Sequence, residues 1–287
     1  MSAKKLRTPK TNKPAAAKKP ASAAAPAASG SARPYADIPI DLPTVTAAEK
    51  KRALQLADAL AAEYPDAHCE LDYSSPHELL VATILSAQTT DVGVNKATPA
   101  LFARFPTPAD YAKAAPADIE PYIKTLGFFR NKALSVHAAM KEVHERFGDR
   151  VPQTMDELLT LRGVARKTAN VVLGNAFHKN VGFVVDTHID RFSKRYCLAP
   201  SDANVGMIEK RLMALFPRER WCDLSHQIIW HGRRVCKARP IGGKCADHPI
   251  CRTFGGCCEL RTSGKDAPPA PKPKTAPGNS AKKKPRN

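Results

Sequence analysis

No stretch of this sequence approaches the roughly 18 uninterrupted apolar residues that a membrane-spanning helix requires, so no transmembrane span is expected. Strand signals are nearly absent too. Val181-Gly182-Phe183-Val184-Val185 is the one β-like run, too short and isolated to build a sheet. Acid is missing at both ends. Residues 1–34 hold eight Lys or Arg and no acid, and residues 261–287 hold eight with one acid, Asp266. The N-terminal stretch lacks a Leu-rich centre and its Ala run is broken by prolines, so no secretory signal peptide is expected; its mostly Lys basic residues make only a weak signal for a transit peptide. With 287 residues and 43% hydrophobic content, the chain is too long for a disulfide-stapled miniature and can bury a core.

What is abundant is positive charge. The formal net charge is +18, yet the body between the tails has only 29 basic against 26 acidic residues. A surplus of this size points to a polyanionic partner, most commonly nucleic acid. Both tails, 1–34 and 261–287, are Ala-, Pro-, Lys- and Ser-rich, with too little to bury to offset the entropy of ordering. They read as disordered, either as polybasic arms that hold phosphates without reading sequence or as solubilising extensions.

From 35 to 260 the pattern is helical. Ala47 to Glu63 carries Ala53, Leu54, Leu56, Ala57 and Leu60 on one face. Ser75-Pro76-His77-Glu78 predicts an N-cap, a first-turn proline and a capping box ahead of Leu79, Leu80, Val81, Ile84 and Leu85. Further helices are expected at 95–105, 108–114, 116–125, 132–147, 155–162, 166–176, 187–196, 205–216 and 221–235. The fold class is all-α, with many short helices.

Leu158 to Asn170 reads as helix, tight turn, helix. Gly163 suits a turn needing positive φ, and the second helix starts with backbone N–H groups free to receive an anion such as phosphate. Lys167 falls in the first turn of that helix among small and apolar residues. The positive helix terminus and partial burial would both lower its pKa, as a nucleophilic lysine requires. Its neighbour Arg166 reads as a solvated surface cation. Asp186 ends the apolar run just before Thr187-His188, poised for electrostatic or acid/base work; taken alone it would serve equally as a helix N-cap.

LRGVARKTANVVLGNAF followed by VVDTHIDRF resembles the helix-hairpin-helix DNA glycosylases, and among them the endonuclease III family. SPHELLVATILSAQTTDVGVNKAT, YIKTLGFFRNKA and HGRRVC extend the resemblance over roughly 47–252. It implies a bifunctional enzyme of base-excision repair: an N-glycosylase for oxidised pyrimidines and an abasic-site lyase on duplex DNA. Lys167 matches the nucleophile that forms a Schiff base with the sugar, and Asp186 the catalytic carboxylate. The target nucleotide must leave the stack to be reached. Gln88 matches a residue that fills the gap it leaves, and Phe128 one that wedges into the opposite strand. Gly163, Ala165, Arg166 and His188 fall at DNA-binding positions. The hairpin departs from the family's L-P-G-V-G: Arg162 replaces the proline and Ala165 the second glycine. A monofunctional relative generally lacks the lysine, and a non-catalytic DNA-binding protein would need neither Lys167 nor Asp186.

Five of eight cysteines cluster at Cys236, Cys245, Cys251, Cys257 and Cys258, which suggests metal rather than disulfides. Cys69, Cys197 and Cys222 read as incidental thiols. The resemblance implies a [4Fe–4S] cluster on C-x6-C-x2-C-x5-C. Here Cys236 takes the first place and Cys245-x5-Cys251 the last interval, but the second ligand falls on Gly242. Four thiolates are completed if Cys257, or else Cys258, folds back; a Cys₄ zinc site is the chemical alternative. Such a site would pin a loop whose Arg233, Arg234, Lys237, Arg239 and Lys244 face the DNA backbone. The expected organisation is a six-helix lobe at 70–181 ending in the hairpin, and a cysteine-bearing lobe from 35–69 plus 182–260, with duplex DNA between them. A cytoplasmic, nucleoid-associated monomer is expected, or a nuclear one in a eukaryote.

Overall fold

Local signals set most of the helix boundaries in the computed structural model, which describes residues 40–239 and 247–258. Both tails, and Gly242, Lys244 and Cys245, lie outside the described residues. Helix α1, Ala47–Glu63, starts at Thr46: its hydroxyl accepts from Glu49 N at 3.1 Å, and the Glu49 carboxylate accepts from Thr46 N at 2.8 Å. Leu54 lies off the buried face of α1, which consists of Ala53, Leu56, Ala57 and Leu60.

Helix α2, Pro76–Leu85, starts at Ser75 as expected, but the reciprocal half of the box is displaced. Glu78 accepts from both N and Oγ of Ser74, at 2.6 Å each, rather than from Ser75. Helix α3, Asp91–Arg104, begins four residues before the sequence pattern because Thr90 caps it by accepting from Gly93 N. Helices α4 (Pro108–Lys113) and α5 (Pro116–Ile123) both open on prolines. Helix α6, Phe129–Phe147, is closed by left-handed Gly148. The hairpin comprises α7 (Met155–Thr160) and α8 (Arg166–Phe177).

After it, Val181–Val185 forms no strand, and its buried Phe183, Val184 and Val185 act as core filler. Helices α9 (Thr187–Arg195), α10 (Val205–Leu215) and α11 (Trp221–Arg234) follow. A short 3₁₀ turn at Arg218–Arg220 and helix α12, Pro249–Phe254, were not signalled by apolar periodicity, since each is under two turns long.

The described residues all fall in one compact unit, Ile38–Asn287. Among them there is no strand, and no helix long and apolar enough to cross a membrane. One continuous core gathers α2 to α8, with Leu79, Leu85, Leu101, Tyr111, Val136 and Leu173 buried. Helix α8 packs on α2, while α4 and α5 pack on α6. Helix α1 packs against α10, α11 and α12, and α9 against α11, around buried Leu56, Phe192, Tyr196, Leu212 and Trp221.

Candidate active site

Gly163 turns the hairpin with φ +81°, and no larger residue would fit: an added Cβ would lie 2.9 Å from the Ser135 Cβ on α6. Val164 is buried beneath the turn and donates its N–H to Leu161 O at 3.2 Å. Ala165 then caps α8 with no side-chain hydrogen bond, so no side chain competes for the first N–H groups of α8. Arg162 and Ala165, the two departures from the family pattern, are both exposed, and the turn forms around them.

Lys167 is the second residue of α8. It is exposed rather than partly buried, so the desolvation argument made from sequence does not apply to it. The helix N-terminus remains beside it. Asp186 combines both of its sequence readings. Its Oδ1 caps α9 by accepting from His188 N and Ile189 N, each at 2.9 Å, while the residue lines the same cavity of about 90 Å³ as Lys167. Val184, Asp91, His68, Trp230 and Arg233 line it as well.

Asp91 was not singled out from the sequence, where it falls four residues ahead of the helix expected at 95–105. In the structure it is a second carboxylate of the site, beside Asp186. Burial raises its pKa; the Lys167 charge opposes this, the Asp186 charge adds to it, and His188 opposes it. Arg233 donates Nη2 to Asp91 Oδ2 at 2.6 Å and also pairs with Glu70. Arg233 is therefore spent inside the protein instead of facing a DNA backbone, and burial lowers its pKa. Arg234, too, lies over the Trp230 ring, 3.7 Å from its centroid.

Arg166 departs from its surface reading. Its Nε reaches both carboxylate oxygens of Glu209, at 3.0 and 2.8 Å, and Glu209 is buried. His188 takes an Arg191 Nη2 contact at Nδ1, 3.1 Å away, and packs against Gly232 of α11. A Cβ at Gly232 would sit 2.9 Å from His188 Cβ and Nδ1. Arg191 also donates to Gly232 O and Cys236 O, tying α9 to the end of α11. Gln88 and Phe128 are both exposed, and both have left-handed backbones, with φ of +54° and +58°.

The cysteines require one correction. Cys257 is joined to Cys197 in a disulfide, with Cα atoms 5.4 Å apart, so its sulfur is not a free thiolate for a metal. Cys197 is accordingly not incidental. Cys236, Cys251 and Cys258 are buried thiols around Tyr196. The Tyr196 hydroxyl lies 2.9 Å from Cys251 Sγ and 2.7 Å from His231 Nε2. Burial, then the nearby Cys251, Cys236 and Cys258, raises the phenol pKa. Arg195 Nη1 donates to Cys236 Sγ at 3.3 Å. Among the described residues no group of three or more side chains closes on a metal position.

A hairpin turned by glycine, a lysine opening its second helix and an aspartate capping the next helix on a shared cavity define a class. Residues 81–218 match the family described as "HhH-GPD superfamily base excision DNA repair protein". Endonuclease III of Synechocystis sp. is 49% identical over 206 residues, covering 71% of this chain and 94% of that protein. The Escherichia coli endonuclease III is 40% identical over 203 residues, 70% of this chain and 95% of its own. Two solved structures, a trapped covalent endonuclease III–DNA intermediate and a non-covalent endonuclease III–DNA complex, each superpose with a TM-score of 0.68. Both are 38% identical and cover 76% of this chain and 97% of theirs. The chain belongs to the endonuclease III family.

Proposed function

We infer that this protein excises oxidised pyrimidines from duplex DNA and cleaves the resulting abasic site through Lys167. The observation that carries this reading is the shared cavity, which brings Lys167 at the start of α8 to Asp186 at the cap of α9. The Lys167 Nζ lone pair attacks C1′ of an extruded nucleotide, and the base leaves with its bonding electrons and takes up a proton. The amine loses a proton and the sugar ring opens to a Schiff base on C1′. Loss of a C2′ proton then expels the 3′ phosphate by β-elimination, and water later frees the lysine. Asp186 supports the positive charge that develops on the sugar, while its Oδ1 stays committed to the α9 cap. Asp91 adds a second negative charge whose reach Arg233 limits.

Free N–H groups at the start of α8 hold a DNA phosphate beside the Gly163 turn. Gln88 enters the gap left by the extruded nucleotide and Phe128 the opposite stack. On this reading one monomer binds duplex DNA, with 70–181 as one lobe and 35–69 plus 182–260 as the other. The setting is the cytoplasmic nucleoid.

The donor chemistry fits a [4Fe–4S] cluster: three buried thiols surround Tyr196, and Arg195 points a cation at one of them. Cys236, Cys251 and Cys258, with Cys245, would hold it, Cys258 replacing Cys257 as fourth ligand. Bound there, the cluster would staple the C-terminal segment.

Borohydride trapping tests the lyase step. Wild-type protein should form a covalent adduct on abasic and thymine-glycol duplexes, and Lys167→Gln should form none. A mutant that still traps would remove Lys167 from the mechanism.

A further inference from the structure

Gln88 and Phe128 share a problem. Both are non-glycine residues with left-handed backbones, a conformation that L side chains keep only when their surroundings impose it. Both are exposed, so packing of their own side chains does not impose it. Phe128 also opens α6 with no side-chain capping bond.

One residue touches both segments. Lys132 donates its backbone N–H to Phe128 O at 3.0 Å, which fixes the start of α6. Its ammonium Nζ donates to Thr89 Oγ1 at 2.5 Å, on the residue next to Gln88. Lys132 is only 5% exposed, the one lysine buried among the described residues. Burial lowers its pKa, so the fold accepts a cost to keep an ammonium there. One turn further along α6, Ser135 abuts Gly163 of the hairpin. The first turns of α6 thus meet the Gln88 segment, the Phe128 turn and the hairpin together.

We propose that Lys132 is a positioning residue that locks the Gln88 and Phe128 segments in one register, so that both enter the duplex as the nucleotide leaves it. This rests on the reading that those two residues occupy the opened duplex. Lys132 acts through them and touches neither substrate nor Lys167. Its effect therefore appears only where a base must be displaced from a stack.

The test compares thymine-glycol excision from duplex with borohydride trapping on a single-stranded abasic oligonucleotide, which has no stack to open. Lys132→Met and Thr89→Val should each slow duplex excision about tenfold, in line with the cost of small misplacements. Both should trap on the single strand within about twofold of wild type. Thr89→Ser keeps the accepting hydroxyl and should restore duplex excision, and the double variant Lys132→Met/Thr89→Val should be no slower than either single one. Equal losses on both substrates would reduce Lys132 to a stabilising residue and overturn the proposal, as would unchanged duplex excision. Absence of a wild-type adduct on abasic duplex and single strand alike would refute the Lys167 reading, an outcome distinct from equal losses in the Lys132 and Thr89 variants.

Discussion

The hairpin and the cysteine segment both depart from their family's pattern, yet they absorb the change differently. In the hairpin, Arg162 and Ala165 replace residues whose role is backbone geometry, and both side chains point to solvent. Gly163 keeps the turn and Ser135 backs it, so the path to Lys167 is preserved. In the cysteine segment the missing residue would have supplied a ligand atom, and a backbone cannot replace a sulfur. On the reading proposed above, the compensation there is a different selection of sulfurs: Cys257 is taken by Cys197, and Cys258 is a buried free thiol. Geometry can be supported by neighbours, whereas a donor atom must be found elsewhere in the chain.

The largest effect expected from this contrast is at Cys258. Cys258→Ser should abolish the brown colour and iron content of anaerobically purified protein, while Cys257→Ser should leave both near wild type. Iron lost equally from the two variants would make Cys257 a ligand after all. The hairpin should be less absolute. Gly163→Ala meets Ser135 at 2.9 Å and keeps a positive φ, so it should destabilise by about 2–3 kcal/mol and weaken binding to abasic-analogue duplex. Pairing it with Ser135→Gly should recover part of the melting temperature by removing the clash, though not the φ cost.

The effect smallest at neutral pH belongs to His226, which also lines the cavity and contacts Asn175 Oδ1 at 2.8 Å. Burial, with help from the His68 charge, pulls its pKa from 6.5 to about 4. The unfolded chain therefore binds a proton that the folded chain refuses between those values. Stability should be full above pH 6.5 and decline as pH falls towards about 4, by at most about 3 kcal/mol. His226→Asn should flatten that part of the denaturation-versus-pH curve; an unchanged slope would assign it to other groups.

Much of the helical skeleton was legible because its signals are local. Thr46, Ser75, Pro108 and Pro116 each announce a helix within four residues. The hairpin was legible for the same reason, since Gly163 and the start of α8 are neighbours in the chain. The partners of charged groups were not. Arg166 meets Glu209, Arg233 meets Asp91, and Cys197 meets Cys257, pairs whose sequence spacing carries no periodicity. A basic residue thus reads as a surface cation until the fold supplies its acid. Asp91 stayed hidden because the helix read from the sequence begins only at 95, and the exposure of Lys167 could not be read from its small, apolar neighbours.

Gly232 shows how far the site extends from its chemistry. It lies inside α11, where a glycine weakens the helix, and its missing side chain is the space that His188 fills. His188 in turn gives its backbone N–H to Asp186. The width of one hydrogen atom on α11 therefore sets where the Asp186 carboxylate stands. Helix α11 acts as a gauge block for the α9 cap, and a methyl group added at position 232 would register as a fault at Asp186, on the neighbouring helix.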